Sequence, residues 1–468
     1  ALATRPKKDR LTEQDKRVLM EHWQEKSRAA GIHFDRDKQR AVDRPSQEGA
    51  ARESLDFAIA HLTERQSIML DGMLMTTAMQ HAVGHATHDE LRAELARRIA
   101  SREVIAEHSP AQGTEARYTT QVAWQTEQAI LRMEREGRHR LPAMMTIAHV
   151  ERALARTNLN AGQRQAARLI LSGEHRIVGI QGSAGVGKSH LIKTAADIAE
   201  QHGYRTVVLA PYANQVERLQ ADGLQAFTLA TFLVAKDKDI DHRTVIVIDE
   251  AGLVPTRQME AALRVAERYQ SRIVLAGDIQ QLKAIEAGRP FPQLQPHGMP
   301  TAIVDQIQRQ KTPDLKPAVE LAAKGHAAAS LVHIDRHVHE IADDRTRYDE
   351  IARDYAALAE AERERTLIVS GTNAARREIN ALIRLELGID GQGQSFDTLS
   401  RVDFTQAERR HAPSYRIGHY VQPERDYERS GLQRGQRYRV TEIETHNRLV
   451  LIGEDGRRTE INPRSHTQ

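Results

Sequence analysis

The chain has 468 residues, enough for about three domains that each bury a core. Lys+Arg 67 against Asp+Glu 64 leaves a net charge of only +3, which permits a nucleic-acid groove without arguing for one. The absence of cysteine excludes disulfides, thiolate zinc sites and a cysteine nucleophile, and no apolar run approaches the roughly 18 residues of a membrane span, so no membrane insertion and a cytoplasmic location are expected.

From the start to about residue 155 the pattern is helical, as in "LTEQDKRVLMEHWQEKSRAAG" and "ESLDFAIAHLTERQSIMLDGMLMTTAMQHAVG", where apolar residues recur at three and four. "HAVGHATH" places His81, His85 and His88 along one helical face; with no carboxylate arranged nearby they are read as solvated, not as metal ligands. Trp23 and Trp124 are read as core in amphipathic helices, with base stacking as the alternative. The opening "ALATRPKKDR" lacks a methionine, and the chain is expected to be a piece of something larger.

After Leu159 the pattern changes to β-branched runs separated by helical stretches: "HRIVGI", "RTVVLA", "TVIVIDE" and "SRIVLAG". That alternation predicts an α/β fold with a parallel sheet covered on both faces. Between the first strand and its helix lies "GSAGVGKS", Gly182 to Ser189, which fits the phosphate-loop (Walker A) pattern in the strand-to-helix setting that the pattern requires. Its glycines, Gly182, Gly185 and Gly187, allow backbone N–H groups to turn inward around a phosphate, with Val186 and His190 completing the cradle. Lys188 would reach the outer phosphates and Ser189 would hold magnesium, so ATP and Mg2+ are the expected ligands. About 60 residues on, "TVIVIDEAGLV" ends a strand in acid. Asp249 would hold magnesium through water and Glu250 would orient and deprotonate an attacking water, a hydrolase pattern. "VLAGDIQQLKAIEAGRPF" then places Asp278 and Gln281 on a loop beside the nucleotide, suited to sensing the γ-phosphate.

From residue 311 onward come two helical stretches, a buried strand expected at "RTLIVSGT" and a helix at "NAARREINALIRLELG". The tail "GQRYRVTEIETHNRLVLIGEDGRRTEI" alternates, with turn signals at His446-Asn447 and Asp455-Gly456, and predicts a small meander or barrel.

G-D-x-x-Q-L followed by a glycine turn resembles motif III of superfamily 1 helicases of the RecD-like, 5′-to-3′ branch. "LNAGQRQAARLIL", "LAPYANQVERL", "TLATFL" and "IVDQIQRQ" resemble, in order, the motif before the phosphate loop and motifs Ia, Ib and IV. The resemblance implies that Gln163 recognises an adenine edge, that Arg309 is an arginine finger, and that Pro211, Asn214, Thr228, Thr231 and Phe232 line a single-strand groove, Phe232 being equally readable as core. The opening segment, "ARYTTQVAWQTEQAILRMEREG", "RTLIVSGTNAARREIN" and the β-rich tail are similar to the helicase half of conjugative relaxase-helicases of the TraI and TrwC type. That resemblance implies single-stranded DNA and plasmid transfer-origin DNA as partners. It also implies a type IV secretion coupling machinery, with export alongside the DNA. A nicking domain preceding residue 1 and the later motifs V and VI belong to the family pattern and are not in this sequence. The implied architecture is a helical N-terminal domain at 1–155, a RecA-like lobe at 156–312, a partial second RecA-like lobe at 313–400 and a small SH3/OB-like β-rich element at 401–468.

Overall fold

In the computed structural model, the described residues are 49–107, 115–183, 185–282, 284–306, 315–394, 396 and 398–466, with short helical pieces between 18 and 26. They form two compact units, one from the described residues up to 59 and 71–101 and the other from 60–70 and the described residues from 102 onward.

The first unit holds most of α1 (Ala50–Thr63), α2 (Asp71–His81) and α3 (His88–Ala100). Thr87 and Glu90 form a capping box at the start of α3. Arg98 is fully buried because Asp56, Glu94 and the Arg52 carbonyl surround its guanidinium at 2.8, 2.9 and 3.1 Å. The histidine run does not lie on one helix: α2 stops at His81, a turn with Gly84 at φ +82° follows, and His88 begins α3. His81 bonds to Ser54 at 3.0 Å and stacks on Phe57, so its ring has a packing role.

The second unit opens with a small antiparallel sheet, β1 (Met69–Leu70), β2 (Val104–Ala106) and β3 (Arg117–Thr120), ordered β1-β3-β2. Next come α4 (Gln121–Glu136), α5 (Ile147–Leu154) and α6 (Ala161–Ser172). A six-stranded sheet contains β4 (Ile177–Gly182), β5 (Arg205–Ala210), β6 (Ala226–Thr228), β7 (Thr244–Ile248), β8 (Arg272–Gly277) and β9 (Thr301–Val304). Its order is β6-β5-β7-β8-β4-β9, and every pairing is parallel. Helices α7 (Lys188–Glu200), α8 (Ala213–Ala221), α9 (Leu229–Val234), α10 (Thr256–Arg268) and α11 (Pro290–Leu294) connect the strands.

The period of two explains why these strands are apolar throughout. Val178, Ile180, Val245, Val247 and Val274 enter one core, which holds Leu171 of α6 and Leu191 of α7. Ile177, Ile246, Ile248, Ile273 and Leu275 enter the other, with Met133 of α4, Met259 of α10 and Phe291 of α11. Because α4 contributes to this second core, residues from 102 onward join the sheet unit and not the N-terminal helices.

Trp124 of α4 is 49% exposed, contrary to its reading as core. Gly288 sits at φ +98°, and a Cβ there would lie 1.7 Å from Thr256 Oγ1 at the start of α10. Gly288→Ala is therefore expected to cost about 2–4 kcal/mol in urea unfolding, from backbone strain and overpacking together.

Beyond β9 the described chain forms α12 (Leu315–Ala323), α13 (Ala327–Ile334), α14 (Asp344–Ala357) and α15 (Asn373–Glu386). The strand expected at "RTLIVSGT" is absent: residues 366–370 join no sheet, with Leu367 and Val369 at 85% and 84% exposure. Ile368 alone packs inward, against Ala352, Ile379, Leu382 and Ile383. A parallel strand needs neighbours to bond with, and among the described residues no strand lies between Val304 and Tyr420.

The tail forms a four-stranded antiparallel sheet, β10 (Tyr420–Val421), β11 (Tyr438–Glu444), β12 (Arg448–Gly453) and β13 (Arg458–Ile461). The His446-Asn447 signal lies in a three-residue turn, Thr445 to Asn447, with φ +59° at His446 and Asn447, and Glu444 faces Arg448 across it. Residues 61–65 hold the segment before this sheet. His61 Nδ1 lies 2.9 Å from Thr405 Oγ1, the Gln406 N–H donates to the Glu64 carboxylate at 2.6 Å, and Arg65 pairs with Asp403 at 2.9 Å.

Candidate nucleotide and strand-binding site

The strand order decides where the chemistry gathers. β8 lies between β4, which leads into the glycine loop, and β7, which ends in the acidic pair. All three carry their functional residues at their carboxyl ends, the edge where open parallel sheets bind ligands.

Gly185 and Gly187 take φ +79° and +83°, which lets the loop curl back over the start of α7. A Cβ on Gly187 would stand 2.7 Å from Gln163 Nε2. Lys188 is the first residue of α7, largely buried, and its Nζ donates to the Gly182 carbonyl at 2.7 Å. The 13-residue helix α7 points its free N–H groups and positive dipole end at the same concavity.

Opposite stands the acidic pair. The Asp249 N–H extends the β7 ladder by donating to the Leu209 carbonyl at 2.9 Å, and its Oδ1 is buried with no hydrogen-bond partner among the described residues. Burial, and then the charge of Glu250, push the Asp249 carboxyl up to about 6, against the opposing pull of Lys188. Glu250 is held in the left-handed region, at φ 54° and ψ 44°, a strained conformation for a residue with a side chain and one that concentrates at functional sites. A buried orphan oxygen beside a second carboxylate and a hydroxyl-bearing helix start fits a hard divalent cation, which would relieve the repulsion that raises Asp249.

A cleft of about 630 Å³ brings together Lys188, Ser189, Asp249, Glu250 and Gln281, along with Gly185, Gly187 and His190. Gly182 and Val186 are buried behind the loop. Gln281 donates from Nε2 to Asp278 Oδ2 at 3.0 Å. His190 Nε2 lies 2.7 Å from Asn158 Oδ1 at the rim. Lys193, Arg218 and Asp222 also line the cleft and were missed in the sequence. Their signal was the polar stripe Gln215, Arg218, Asp222 on one face of α8 and its cap, which reads as an ordinary solvated face until the fold turns it toward the loop.

Gln163 is placed differently from the adenine contact that the resemblance implied. It is 4% exposed, its Oε1 accepts from the Asn160 N–H at 3.0 Å, and its Nε2 donates to the Val186 and Gly187 carbonyls at 2.9 and 3.4 Å. The reason is the Asn160–Gln163 capping box, which folds the amide back along α6 and under the glycine loop, where it braces the loop. Arg309 lies outside the described residues.

Among the expected strand contacts, Pro211 and Asn214 sit at the entrance to α8, with Asn214 exposed. Thr228 caps α9 by accepting from the Thr231 N–H at 3.1 Å, and the two hydroxyls bond at 2.7 Å. Phe232 is corrected to core: it is 8% exposed, packed with Leu229 and Leu263, because α9 turns its apolar face onto the sheet. The exposed aromatics here are Tyr212, next to Pro211, and Phe227, next to Thr228. No described helix is long and apolar enough to cross a membrane.

Residues 158–343 match the family model described as an AAA domain, and residues 398–468 match that of the DNA relaxase TraI 2B/2B-like domain. The chain is 28% identical over 318 residues to the multifunctional conjugation protein TraI of Escherichia coli strain K12, covering 56% of this chain and 18% of that protein. It is 30% identical over 248 residues to the conjugal transfer protein TraA of Agrobacterium fabrum, covering 50% of this chain and 22% of the relative. Over 166 residues it is 30% identical to the ATP-dependent RecD2 DNA helicase of Deinococcus radiodurans, covering 33% of this chain and 23% of that one. The chain thus spans about a fifth of the length of these relatives. Unliganded Pif1 from Bacteroides sp. aligns with 65% of this chain and 74% of its own at 16% identity and a TM-score of 0.33. The chain thus combines an AAA domain with a DNA relaxase TraI 2B/2B-like domain, and across both it is similar to the TraI-like superfamily 1 helicases.

Proposed function

We propose that this chain is the helicase portion of a conjugative relaxase, which hydrolyses ATP with Mg2+ to move 5′-to-3′ along single-stranded DNA and unwind plasmid DNA during transfer. The observation that carries the reading is a shared sheet edge. The carboxyl ends of β4, β7 and β8 supply Lys188, Asp249, Glu250 and Gln281 to one cleft, while β5 and β6 end in the exposed Tyr212, Asn214, Phe227 and Thr231. Nucleotide and strand contacts on neighbouring loops are what a motor needs to convert a change at the γ-phosphate into displacement of a strand.

Lys188 would leave the Gly182 carbonyl to stabilise charge on the transferring phosphoryl group, with Arg309 supplying a second cation. Glu250 would hold the attacking water and take its proton at the carboxylate. Ser189 and Asp249 would hold magnesium, which when bound neutralises phosphate charge. Gln281 would detect the γ-phosphate and pass its loss to the loop that follows, whose Ala287 N–H is tied to the Glu64 carbonyl at 2.9 Å. Strand contact would combine hydroxyls and amides on phosphates with stacking on Tyr212 and Phe227. The whole protein would act on transfer-origin DNA in the cytoplasm and engage a type IV secretion coupling machinery as its substrate.

Strand displacement on partial duplexes tests direction: a 5′-tailed duplex is expected to be opened and a 3′-tailed one left intact. Opening of the 3′-tailed duplex alone would overturn the polarity. A second reading, a helicase-shaped platform that holds DNA without turnover, is favoured by residues 366–370, which form no strand and leave the described residues between 315 and 394 without a sheet. Salt-sensitive DNA binding with no ATP hydrolysis would support it.

A further inference from the structure

Gln181 is a polar residue in a strand whose other five residues are all buried. By the alternation of β4 it shares the face of Ile177, against the core containing Phe291 and Leu294 of α11, where an apolar side chain would ordinarily pack. Its amide is instead engaged at both the nitrogen and the oxygen. Nε2 donates to Asp278 Oδ1 at 3.0 Å, while Oε1 accepts from the Ile279 N–H and from Gln295 Nε2, both at 3.2 Å. The Asp278 carboxylate, 5% exposed, also accepts from the Gln280 N–H at 3.0 Å, and its other oxygen accepts from Gln281 Nε2 at 3.0 Å.

Chemistry fixes these orientations. A carboxylate only accepts, so both glutamines must turn their N–H groups toward Asp278, and Gln181 must turn its oxygen toward the Ile279 N–H. For Gln281 this leaves one amide N–H and the carbonyl oxygen for the cleft that it lines. An amide free to flip would offer a phosphate its oxygen half of the time; one held by Asp278 keeps a donor available. Asp278 in turn depends on Gln181, which stands one residue before Gly182, whose carbonyl holds Lys188.

We infer that Gln181 is a positioning residue for γ-phosphate sensing: from the strand that carries the glycine loop it holds Asp278, and through Asp278 it sets the amide of Gln281. Gln181 touches no phosphate itself. It makes the sensor and the glycine loop move as one polar unit, so that a shift of either strand end re-aims the sensor. The inference rests on the reading of the cleft as a nucleoside triphosphate site and adds the residue that aims its sensor.

The test needs no turnover. Dissociation constants for ADP and for a non-hydrolysable ATP analogue with Mg2+ are measured for the wild type, Gln281→Ala, Gln181→Met and the double variant, with thermal melting to confirm folding. Gln181→Met keeps chain length and removes the amide; Gln181→Glu, which sets a second carboxylate against Asp278, serves as the second probe. The wild type is expected to prefer the triphosphate, and Gln281→Ala and Gln181→Met should each reduce that preference by about tenfold with ADP affinity within about twofold. Because Gln181 acts through Gln281, the double variant should be no worse than Gln281→Ala. A side chain that served packing alone would lower both affinities together. Retention of the preference in Gln181→Met and Gln181→Glu, or additive losses in the double variant, overturns the inference while leaving the cleft reading intact. Failure of the wild type to bind either nucleotide overturns the cleft reading and the inference with it.

Discussion

Glu250→Gln is expected to lower ATP turnover by about 10²–10³-fold while nucleotide affinity stays within a few-fold. The substitution keeps the size of the side chain and, at φ 54°, changes nothing in the backbone requirement. What it removes is the acceptor for the proton of the attacking water, and loss of a positioned general base costs rate without costing ground-state binding. Single-turnover hydrolysis beside equilibrium binding separates the two. Equal losses in rate and affinity would assign Glu250 to holding the nucleotide and not to the water.

Asp249→Asn is expected to abolish turnover and, in the absence of nucleotide and metal, to make the protein more stable above pH 7. Burial and the charge of Glu250 raise the Asp249 carboxyl from an ordinary 3.8 to about 6 in the folded chain. A group raised on folding contributes stability that is fully present below its unfolded value and is lost as pH climbs through the folded value. The wild type therefore carries a destabilisation that grows between about pH 4 and 6 and levels off above, worth up to about 3 kcal/mol. Asparagine carries no charge and escapes it, so the melting temperatures of variant and wild type should coincide near pH 4 and separate by several degrees at pH 8. Magnesium with nucleotide should then stabilise the wild type and not the variant. A gap that shrinks with rising pH would contradict this account of Asp249.

The parallel sheet was legible because its strands are buried on both faces. "RIVGI", "TVVLA", "TVIVI" and "RIVLAG" leave no other place for so many β-branched residues, and the glycine loop and acidic pair follow them directly. The hairpin at His446-Asn447 was legible for a local reason as well, since that pair tolerates the positive φ that so tight a turn requires. "RTLIVSGT" has the same composition as the sheet strands and failed, because composition records a wish for neighbours and not their presence. The strands β6 and β9, at the two edges of the sheet, were too short and too exposed to stand out.

Within the site, the residues that backbone geometry alone brings to the cleft were legible: Gly185, Gly187, Lys188, Asp249 and Glu250. Residues whose role depends on which way a side chain turns were not. Gln163 carries the amide expected of a base contact, yet its own capping box draws it beneath the loop. Phe232 and Tyr212 are both aromatic near strand ends, and only the packing of α9 shows that the first is core and the second is exposed. Gln181 gave no signal, because a single polar residue at a strand end reads as the start of a loop.

The central claim is that this cleft turns over ATP in response to DNA. It is tested most directly by measuring phosphate release with and without a single-stranded oligonucleotide, beside Lys188→Ala. The account predicts turnover that the oligonucleotide stimulates severalfold and that Lys188→Ala abolishes. Turnover that is indifferent to DNA, or that survives Lys188→Ala, would contradict it.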